Sequence, residues 1–345
     1  MTLLAEYLDE PVLLWYLARH VPEIGTVRRI ERITSGSSNE IFELSADTGP
    51  VILRRPPRQR LSASAHDVGR EFRVLSALQG TPVPHPRAIH LCADDGVIGA
   101  PFLLMSKVEG FHLKAPYPAH ALRDGAMRAM MIDFIDVIAH LSRVDFEAAG
   151  LAGFGRPAGY LDRQVDRWLG QLAGYQTRDL PRLAEIADWL RSHQPESGPP
   201  GIIHGDYQFL NVLFADDLPP RVAGVLDWEQ STIGDPLVDL GWVLGLWAQA
   251  GEESPLNAFY GNASQLPGAP TRAELAERYA AVSGRPAEDR RYYEILALFK
   301  LGCIAEGSYY RHVSGASDTA LHADFEWIVP KLMLTAYQII QGERD

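Results

Sequence analysis

A strand-turn-strand pattern in the second half of the chain is the feature that most constrains its folding. Two short apolar runs, residues 212–214 and 222–226, flank the turn-forming sequence Asp-Asp-Leu-Pro-Pro, and this pattern predicts a β-hairpin. Asn211 comes directly before the first run, and Asp227 comes directly after the second. The hairpin therefore places these two oxygen-bearing side chains at its open ends, where both could reach one metal ion.

The patterns before and after residue 106 predict different classes of secondary structure. In the first part, compact apolar runs bounded by Gly, Pro or Asp predict strands at residues 27–33, 41–44, 51–53, 88–91 and 102–105. In the second part, helical patterns cover residues 119–144, 160–174, 181–193, 235–249, 272–283, 288–311 and 323–341. We expect an α+β fold with a β-rich N-terminal lobe, residues 1–106, and a mainly helical C-terminal lobe, residues 107–345.

One helix interrupts the strands of the N-terminal part. Its apolar stripe at helical spacing consists of Val68, Phe72, Leu75 and Leu78. Glu71 precedes Phe72 and lies at the edge of this stripe. The expected result is a small sheet that carries one helix.

Composition excludes several classes of partner. The chain has 32 Lys and Arg against 44 Asp and Glu, a formal charge of -12, which repels polyanions, so no nucleic acid is expected. Cys92 and Cys303 lack the spacing of a zinc site, and this usage is typical of a reducing cytoplasm. The first residues lack the basic region of a signal peptide. The apolar run at residues 240–248 is about half of the ~20 residues that span a bilayer, so no membrane segment is expected.

Three oxygen-bearing residues follow one another at informative intervals. Asp206 is followed five positions later by Asn211, and Asp227 comes sixteen residues after that. A carboxylate at Asp206 could orient a hydroxyl and take its proton, while Asn211 and Asp227 offer the oxygen ligands that Mg²⁺ prefers. Phosphoryl transfer requires this division of roles. The alternative is that Asp206 only caps a turn.

His204-Gly205-Asp206 with Asn211 resembles the catalytic loop of the aminoglycoside phosphotransferase and choline kinase-like families, which share the protein-kinase-like fold. The resemblance covers nearly the whole chain, because a Gly/Ser loop, a basic strand end, a helix Glu, the catalytic loop and the metal Asp occur in the family's order. It implies a two-lobed, ATP- and Mg²⁺-dependent phosphotransferase that acts on a hydroxyl of a small molecule.

Three further polar residues are candidates for holding this loop in place. We expect His204 to belong to the catalytic group, more through ring hydrogen bonds that hold the loop than through proton exchange. Asp235 and Asp239 are expected to support the site without touching substrate, or, for Asp235 before Pro236, to cap a helix.

A Gly/Ser-rich loop between the first two strands is the candidate for covering the nucleotide phosphates. Its candidate contacts are Gly36, Ser37, Ser38 and Asn39. A plain hairpin turn is the alternative from the residues alone. The chain has no GxxxxGK[ST] sequence, which argues against a P-loop ATPase.

The third strand ends in two arginines where the resemblance leads us to expect the lysine that contacts phosphates and pairs with a helix Glu. Arg54 with Glu71 could do this task, since a guanidinium can bridge carboxylate and phosphate. Arg55 is the alternative, because strand alternation lets only one of the two face the cleft. Arg58 and Arg60 follow and are either a solvated loop or an anion site at the cleft edge.

The segment around residues 103–108 resembles the hinge whose backbone hydrogen-bonds adenine. Met105 and Val108 are candidates for the purine pocket, although core packing explains an apolar strand end equally well. ATP rather than GTP follows from the family resemblance alone.

The acceptor is the least defined part of this interpretation. The Leu-Arg-Arg-Pro-Pro strand end resembles the branch associated with acyl-CoA dehydrogenases, which implies a metabolic hydroxyl substrate such as a hydroxyacyl-CoA. An aminoglycoside is the alternative, mildly favoured by the acidic net charge. A nucleotide-binding pseudokinase is the alternative of another class, because arginine replaces the expected lysine.

Overall fold

The N-terminal part is built on a five-stranded antiparallel sheet. In this computed structural model, which describes residues 7–33, 39–56, 67–218, 220–257, 261–317 and 319–344, the strands are β1 (Val27–Ile33), β2 (Glu40–Ala46), β3 (Gly49–Arg55), β4 (Ala88–Cys92) and β5 (Phe102–Ser106). Their order is β1-β2-β3-β5-β4. The five strands predicted from the apolar runs are thus confirmed, each within about two residues.

Helix α2 (Val68–Leu78) lies against this sheet and contacts β4 and β5. The Asp67 carboxylate caps it by accepting the backbone N–H groups of Gly69 and Arg70. Its buried residues are Val68, Glu71, Val74, Leu75 and Leu78. Phe72 of the predicted stripe is partly buried and packs against the core, whereas Glu71 is buried rather than at the edge of the buried face.

A helix that the apolar pattern did not predict, α1 (Glu10–His20), precedes the sheet. Leu13 and Leu17 on α1 pack with Phe42, Leu44 and other residues of the sheet in one buried cluster. Its apolar residues form one unbroken run at positions 12–18, and its first turn contains Pro11, so no helical period is visible in the sequence.

The C-terminal part is mainly helical, as predicted. Its helices are α3 (Ala126–Leu141), α4 (Gln164–Ala173), α5 (Leu183–Ser192), α6 (Leu237–Leu246), α7 (Arg272–Ser283), α8 (Arg290–Val313) and α9 (Phe325–Gln341). The largest disagreement is at α3, which begins at Ala126 rather than at residue 119, because turns occupy residues 119–125. No helix among the described residues is long and apolar enough to cross a membrane.

Two small sheets interrupt the helices and frame the loops of the site. Strands β7 (Val212–Phe214) and β8 (Val222–Val225) form the predicted hairpin, with Val212 paired to Val225. A second pair, β6 (Gly201–Ile203) with β9 (Thr232–Gly234), was not predicted. Together they hold residues 204–211 and 226–231 at neighbouring strand ends.

Helices α6 and α8 form the main support behind these loops. A Cβ atom on Gly241 would lie 2.3 Å from the Cβ of Tyr293, so only glycine permits this close approach. Helix α9 also packs against α8. Cys92 and Cys303 are both buried as free thiols, as expected for small core residues.

Candidate active site

The turn at His204, Gly205 and Asp206 leaves the end of β6 and is held from behind by two charged side chains. The Asp239 carboxylate, in the first turn of α6, accepts the backbone N–H of His204 at 2.7 Å and that of Gly205 at 2.9 Å. From α8, the Lys300 ammonium donates to the carbonyl oxygen of Gly205 at 2.7 Å. The backbone N–H groups of the turn thus bind a carboxylate, and one of its carbonyl oxygens binds an ammonium group.

His204 is fully buried and hydrogen-bonded at both ring nitrogens. Its Nε2–H donates to the carbonyl oxygen of Leu226 at 3.0 Å, and Nδ1 accepts the backbone N–H of Asp206 at 3.2 Å. Burial lowers the pKa of His204 to about 4, so the ring is neutral at pH 7. This geometry ties the Asp206 loop to the strand end that precedes Asp227.

Asp206 accepts hydrogen bonds from two neutral amides of its own loop. Gln208 donates to Oδ1 at 2.9 Å and Asn211 donates to Oδ2 at 2.9 Å. Burial raises the pKa of Asp206 to about 6, although the nearby Lys300 ammonium opposes this shift. The carboxylate is therefore held in one orientation and is ionised at pH 7, with a basicity above that of an exposed aspartate.

Asn211 and Asp227 lie at the open ends of the hairpin and line the same cleft. The backbone N–H of Leu226 donates to the carbonyl oxygen of Asn211 at 2.8 Å, which closes the hairpin beside Asp227. The Asn211 amide nitrogen donates to Asp206, and this leaves its Oδ1 as an acceptor. Asp227 adopts a positive φ of 62°, a sparsely populated conformation for a non-glycine residue.

The donor set fits a hard cation that arrives with phosphate ligands of its own. Asn211 and Asp227 supply oxygen donors, and Mg²⁺ commonly takes one or two protein ligands together with phosphate oxygens and waters. Within the described residues, no cluster of three or more His, Cys, Asp or Glu could hold a metal alone. Nearby, one guanidinium faces three carboxylates, so the local charge also favours a cation.

The guanidinium at the centre of this charge cluster belongs to Arg54. It lies on β3 and donates to Glu71 on α2 at 2.9 Å, to Asp227 at 2.6 Å and to Glu229 at 3.2 Å. Burial raises the pKa of Glu71 to about 7, and the Arg54 charge opposes this shift. Of the two candidate arginines, Arg54 is the one that lines the cleft.

Arg55 points to the opposite face of the sheet and is fully buried there. It donates to Glu40 at 2.7 Å and to the carbonyl oxygens of Ile98 and Tyr7. Strand alternation thus gives the two arginines separate tasks. Arg58 and Arg60 lie outside the described residues.

The cleft between the two parts has about 1680 Å³ of space, including its open mouth. Met105, Val108 and Asn39 line it, together with Arg54 and Asp227. The Asn39 amide donates to Glu229 at 3.0 Å. The other candidate phosphate contacts, Gly36, Ser37 and Ser38, lie outside the described residues.

The carboxylates expected to support the site differ in what they contact. Asp239 binds the loop backbone as described above. Asp235 accepts the backbone N–H of Leu237 at 3.0 Å and the hydroxyl of Tyr293 at 2.7 Å. It therefore binds the backbone N–H of the first residue of α6 and links this helix to α8.

Three site residues were not identified from the sequence. Lys300 is separated by 95 residues from the carbonyl that it binds, and a lysine in a long helix carries no local signal. Gln208 and Glu229 lie within the motifs that were recognised, so their polar character beside Asp206 and Asp227 was a usable signal.

The sheet, the helical part and the cleft between them define a protein-kinase-like fold. The chain belongs to the phosphotransferase enzyme family, whose sequence model matches residues 29–278. Within that fold, the loop that carries Asp206, the β7–β8 hairpin and the Arg54–Glu71 pair lie around one cleft.

The similar proteins include an acyl-CoA dehydrogenase family member and aminoglycoside phosphotransferases. Human acyl-CoA dehydrogenase family member 11 is 30% identical over 331 residues, which cover 94% of this chain and 42% of the human protein. A protein from Ralstonia eutropha, provisionally named an aminoglycoside phosphotransferase, is 29% identical with a TM-score of 0.82, covering 97% and 99% of the two chains. Aminoglycoside phosphotransferase APH(4)-Ia, solved with ADP and hygromycin B, is 14% identical with a TM-score of 0.58, covering 96% and 99%. This chain thus spans about two fifths of the human relative's length.

Proposed function

We propose that the protein transfers the γ-phosphate of ATP, with Mg²⁺, to a hydroxyl group of a small molecule. The observation that carries this proposal is the position of Asp206, Asn211 and Asp227. Asn211 hydrogen-bonds Asp206 at 2.9 Å and lines one cleft with Asp227. Phosphoryl transfer depends mainly on positioning and charge stabilisation, and these residues provide both.

Asp206 is the residue that orients the acceptor hydroxyl and takes its proton. Its raised pKa, about 6, keeps it ionised at pH 7 while making it a better base than an exposed aspartate. His204 acts by holding the loop, because both of its ring nitrogens are engaged by the backbone. Asn211 and Asp227 would hold Mg²⁺, which supplies charge neutralisation at the phosphate oxygens when it is bound.

Arg54 and Glu71 form the pair that positions the nucleotide phosphates. The guanidinium has two ends, so it can keep Glu71 while its other nitrogen turns from Asp227 towards a phosphate oxygen. Met105 and Val108 line the cleft where the adenine would lie. The choice of ATP is supported by the ADP bound to the similar phosphotransferase.

For the acceptor, we propose a metabolic hydroxyl compound such as a hydroxyacyl-CoA. The support is the similarity to the acyl-CoA dehydrogenase family members over 94% of this chain. An aminoglycoside is the second candidate, supported by the solved structures that share the fold. A pseudokinase is less well supported, because Asp206, Asn211 and Asp227 are all present.

The test is an ATP-consumption assay with purified protein against hydroxyacyl-CoAs, amino alcohols, sugars and aminoglycosides. We expect turnover that requires Mg²⁺ and that falls by at least about 10³-fold in Asp206→Asn. Asp217→Asn is the matched control, because Asp217 is exposed in the turn of the same hairpin.

Two results would contradict the proposal. Turnover in Asp206→Asn equal to that of the unmodified protein would remove Asp206 from the mechanism. Binding of MgATP without turnover for any acceptor class would favour the pseudokinase.

A further inference from the structure

A second cavity lies beside the catalytic loop. Tyr207, Gln208 and Phe209, the three residues that follow Asp206, form part of its wall. It is a narrow space that opens to solvent. Gln208 also lines the nucleotide cleft, so this residue stands at the junction of the two spaces.

The wall of this cavity, as far as the structure describes it, contains no charged side chain. Its larger apolar members are Phe134, Phe209, Val243, Leu246, Trp247 and Leu256. The polar members are neutral hydroxyl and amide groups, Ser264 among them. The acidic residues that give the chain its net charge are therefore absent from the described wall.

Gln208 marks the entrance with a polar atom that has no partner in the described part of the chain. Its amide nitrogen donates to Asp206 at 2.9 Å. A carboxylate only accepts hydrogen bonds, so this contact fixes the amide orientation and turns Oε1 away from Asp206. That oxygen is buried and unpaired, and a buried acceptor of this kind is normally satisfied.

We propose that this cavity receives an uncharged hydrocarbon part of the phosphate acceptor, with a hydrogen-bond donor of the same molecule on Gln208 Oε1. The inference rests on the proposed phosphotransferase function and specifies its acceptor class. The hydroxyl to be phosphorylated lies at the Asp206 end, and the apolar part extends between Phe134, Val243 and Trp247.

The physical reason is the difference in desolvation between an alkyl chain and an ammonium group. Each buried methylene strengthens binding about fourfold, whereas an ammonium group that enters this cavity loses its hydration and meets no carboxylate on the described wall. A polycation such as an aminoglycoside needs carboxylates along the wall. The described wall supplies none.

The experiment measures binding without ATP. Straight-chain alkan-2-ols of four to nine carbons are the probes, with matched amino alcohols that carry a terminal ammonium, and saturation-transfer NMR gives the dissociation constants. We expect binding of the alkanols to tighten about fourfold per methylene until the cavity is full, and the amino alcohols to bind at least tenfold more weakly than alkanols of equal length.

Two substitutions at one wall position test the location. Ser264→Phe fills the space and should end the chain-length series earlier, whereas Ser264→Asp adds a carboxylate and should shift the preference towards the amino alcohols. Ser197→Phe is the matched control, because Ser197 lies in an exposed loop before β6, and it should leave the series unchanged. Circular dichroism confirms that each variant is folded.

Amino alcohols that bind the unmodified protein as well as the alkanols do would overturn the inference. An absent chain-length dependence, or one that both Ser264 variants leave unchanged, would also overturn it. Because these measurements contain no nucleotide, a chain-length series in a protein without turnover supports the cavity assignment and contradicts only the reaction. Turnover of aminoglycosides by a protein that shows no chain-length series supports the reaction and contradicts the cavity assignment.

Discussion

Replacing Asp239 by Asn tests whether a buried carboxylate holds the loop that carries Asp206. Asp239 is 2% exposed, and its two oxygens accept the backbone N–H groups of His204 and Gly205. An asparagine has only one oxygen at that position, so one of the two N–H groups would face an amide nitrogen. A buried donor left unpaired costs about 1–3 kcal/mol, and the loop that carries Asp206 would lose one of its supports.

The pH dependence of the effect follows from the pKa of Asp239. Burial raises this pKa from 3.8 to about 6, although the N–H groups of Gly205 and His204 oppose the shift. The folded protein therefore binds the proton more tightly than the unfolded chain. This stabilisation is fully present below about pH 4 and is lost as the pH rises through about 6. Between pH 5 and pH 7.5 the loss amounts to about 1.4 kcal/mol.

The assay is urea unfolding at pH 5 and pH 7.5, followed by tryptophan fluorescence, for the unmodified protein and Asp239→Asn. Asparagine does not titrate, so the stability difference between the two proteins should shrink by about 1.4 kcal/mol at the higher pH. Other titrating groups cancel in this difference, and Asp217→Asn should show no pH-dependent difference. A stability difference between the two proteins that stays constant, or grows with pH, would refute the reasoning.

Three further predictions concern other contacts of the candidate site. Arg54→Lys should raise the KM for ATP about tenfold, because one ammonium cannot keep Glu71 and reach a phosphate as a planar fork does; an unchanged KM in steady-state assays would contradict this role. Gly205→Ala should lower the stability by about 1–3 kcal/mol, measured by urea unfolding, since φ is +87° and the added Cβ would lie 2.8 Å from the Gln230 carbonyl oxygen. Lys300→Met should lower kcat with little change in the KM for ATP, because it removes the hydrogen bond to Gly205, and Lys300→Arg should restore part of the activity; a loss confined to KM would exclude a positioning role.

Local patterns were sufficient for the elements that carry their own signal. The five strands of the N-terminal sheet and the hairpin of β7 and β8 follow from apolar runs and turn residues, and the structure has them within about two residues. The pair β6 and β9 was missed because each strand has only three residues and its partner lies about thirty positions away. A three-residue run has too few positions for a period to appear.

The same distinction holds at the candidate site. The short spacing from Asp206 to Asn211 placed both on one loop, and the predicted hairpin brought in Asp227. Lys300 could not be placed, because its contact with the loop depends on how α8 packs behind α6, and that packing follows from shape rather than from spacing.

The strand register decides which of the two arginines of β3 faces the cleft, and the sequence alone leaves this open. Alternation along β3 requires that Arg54 and Arg55 face opposite sides, but it does not say which side is the cleft. The pairing of β3 with β2 and β5 decides this, since it sets Arg54 opposite Leu103 and turns its side chain towards Glu71. Arg55 is then left to bind Glu40 and backbone carbonyls. A slip of one residue in β3 would exchange the two roles, so the proposed nucleotide contact and the packing of the sheet depend on the same register.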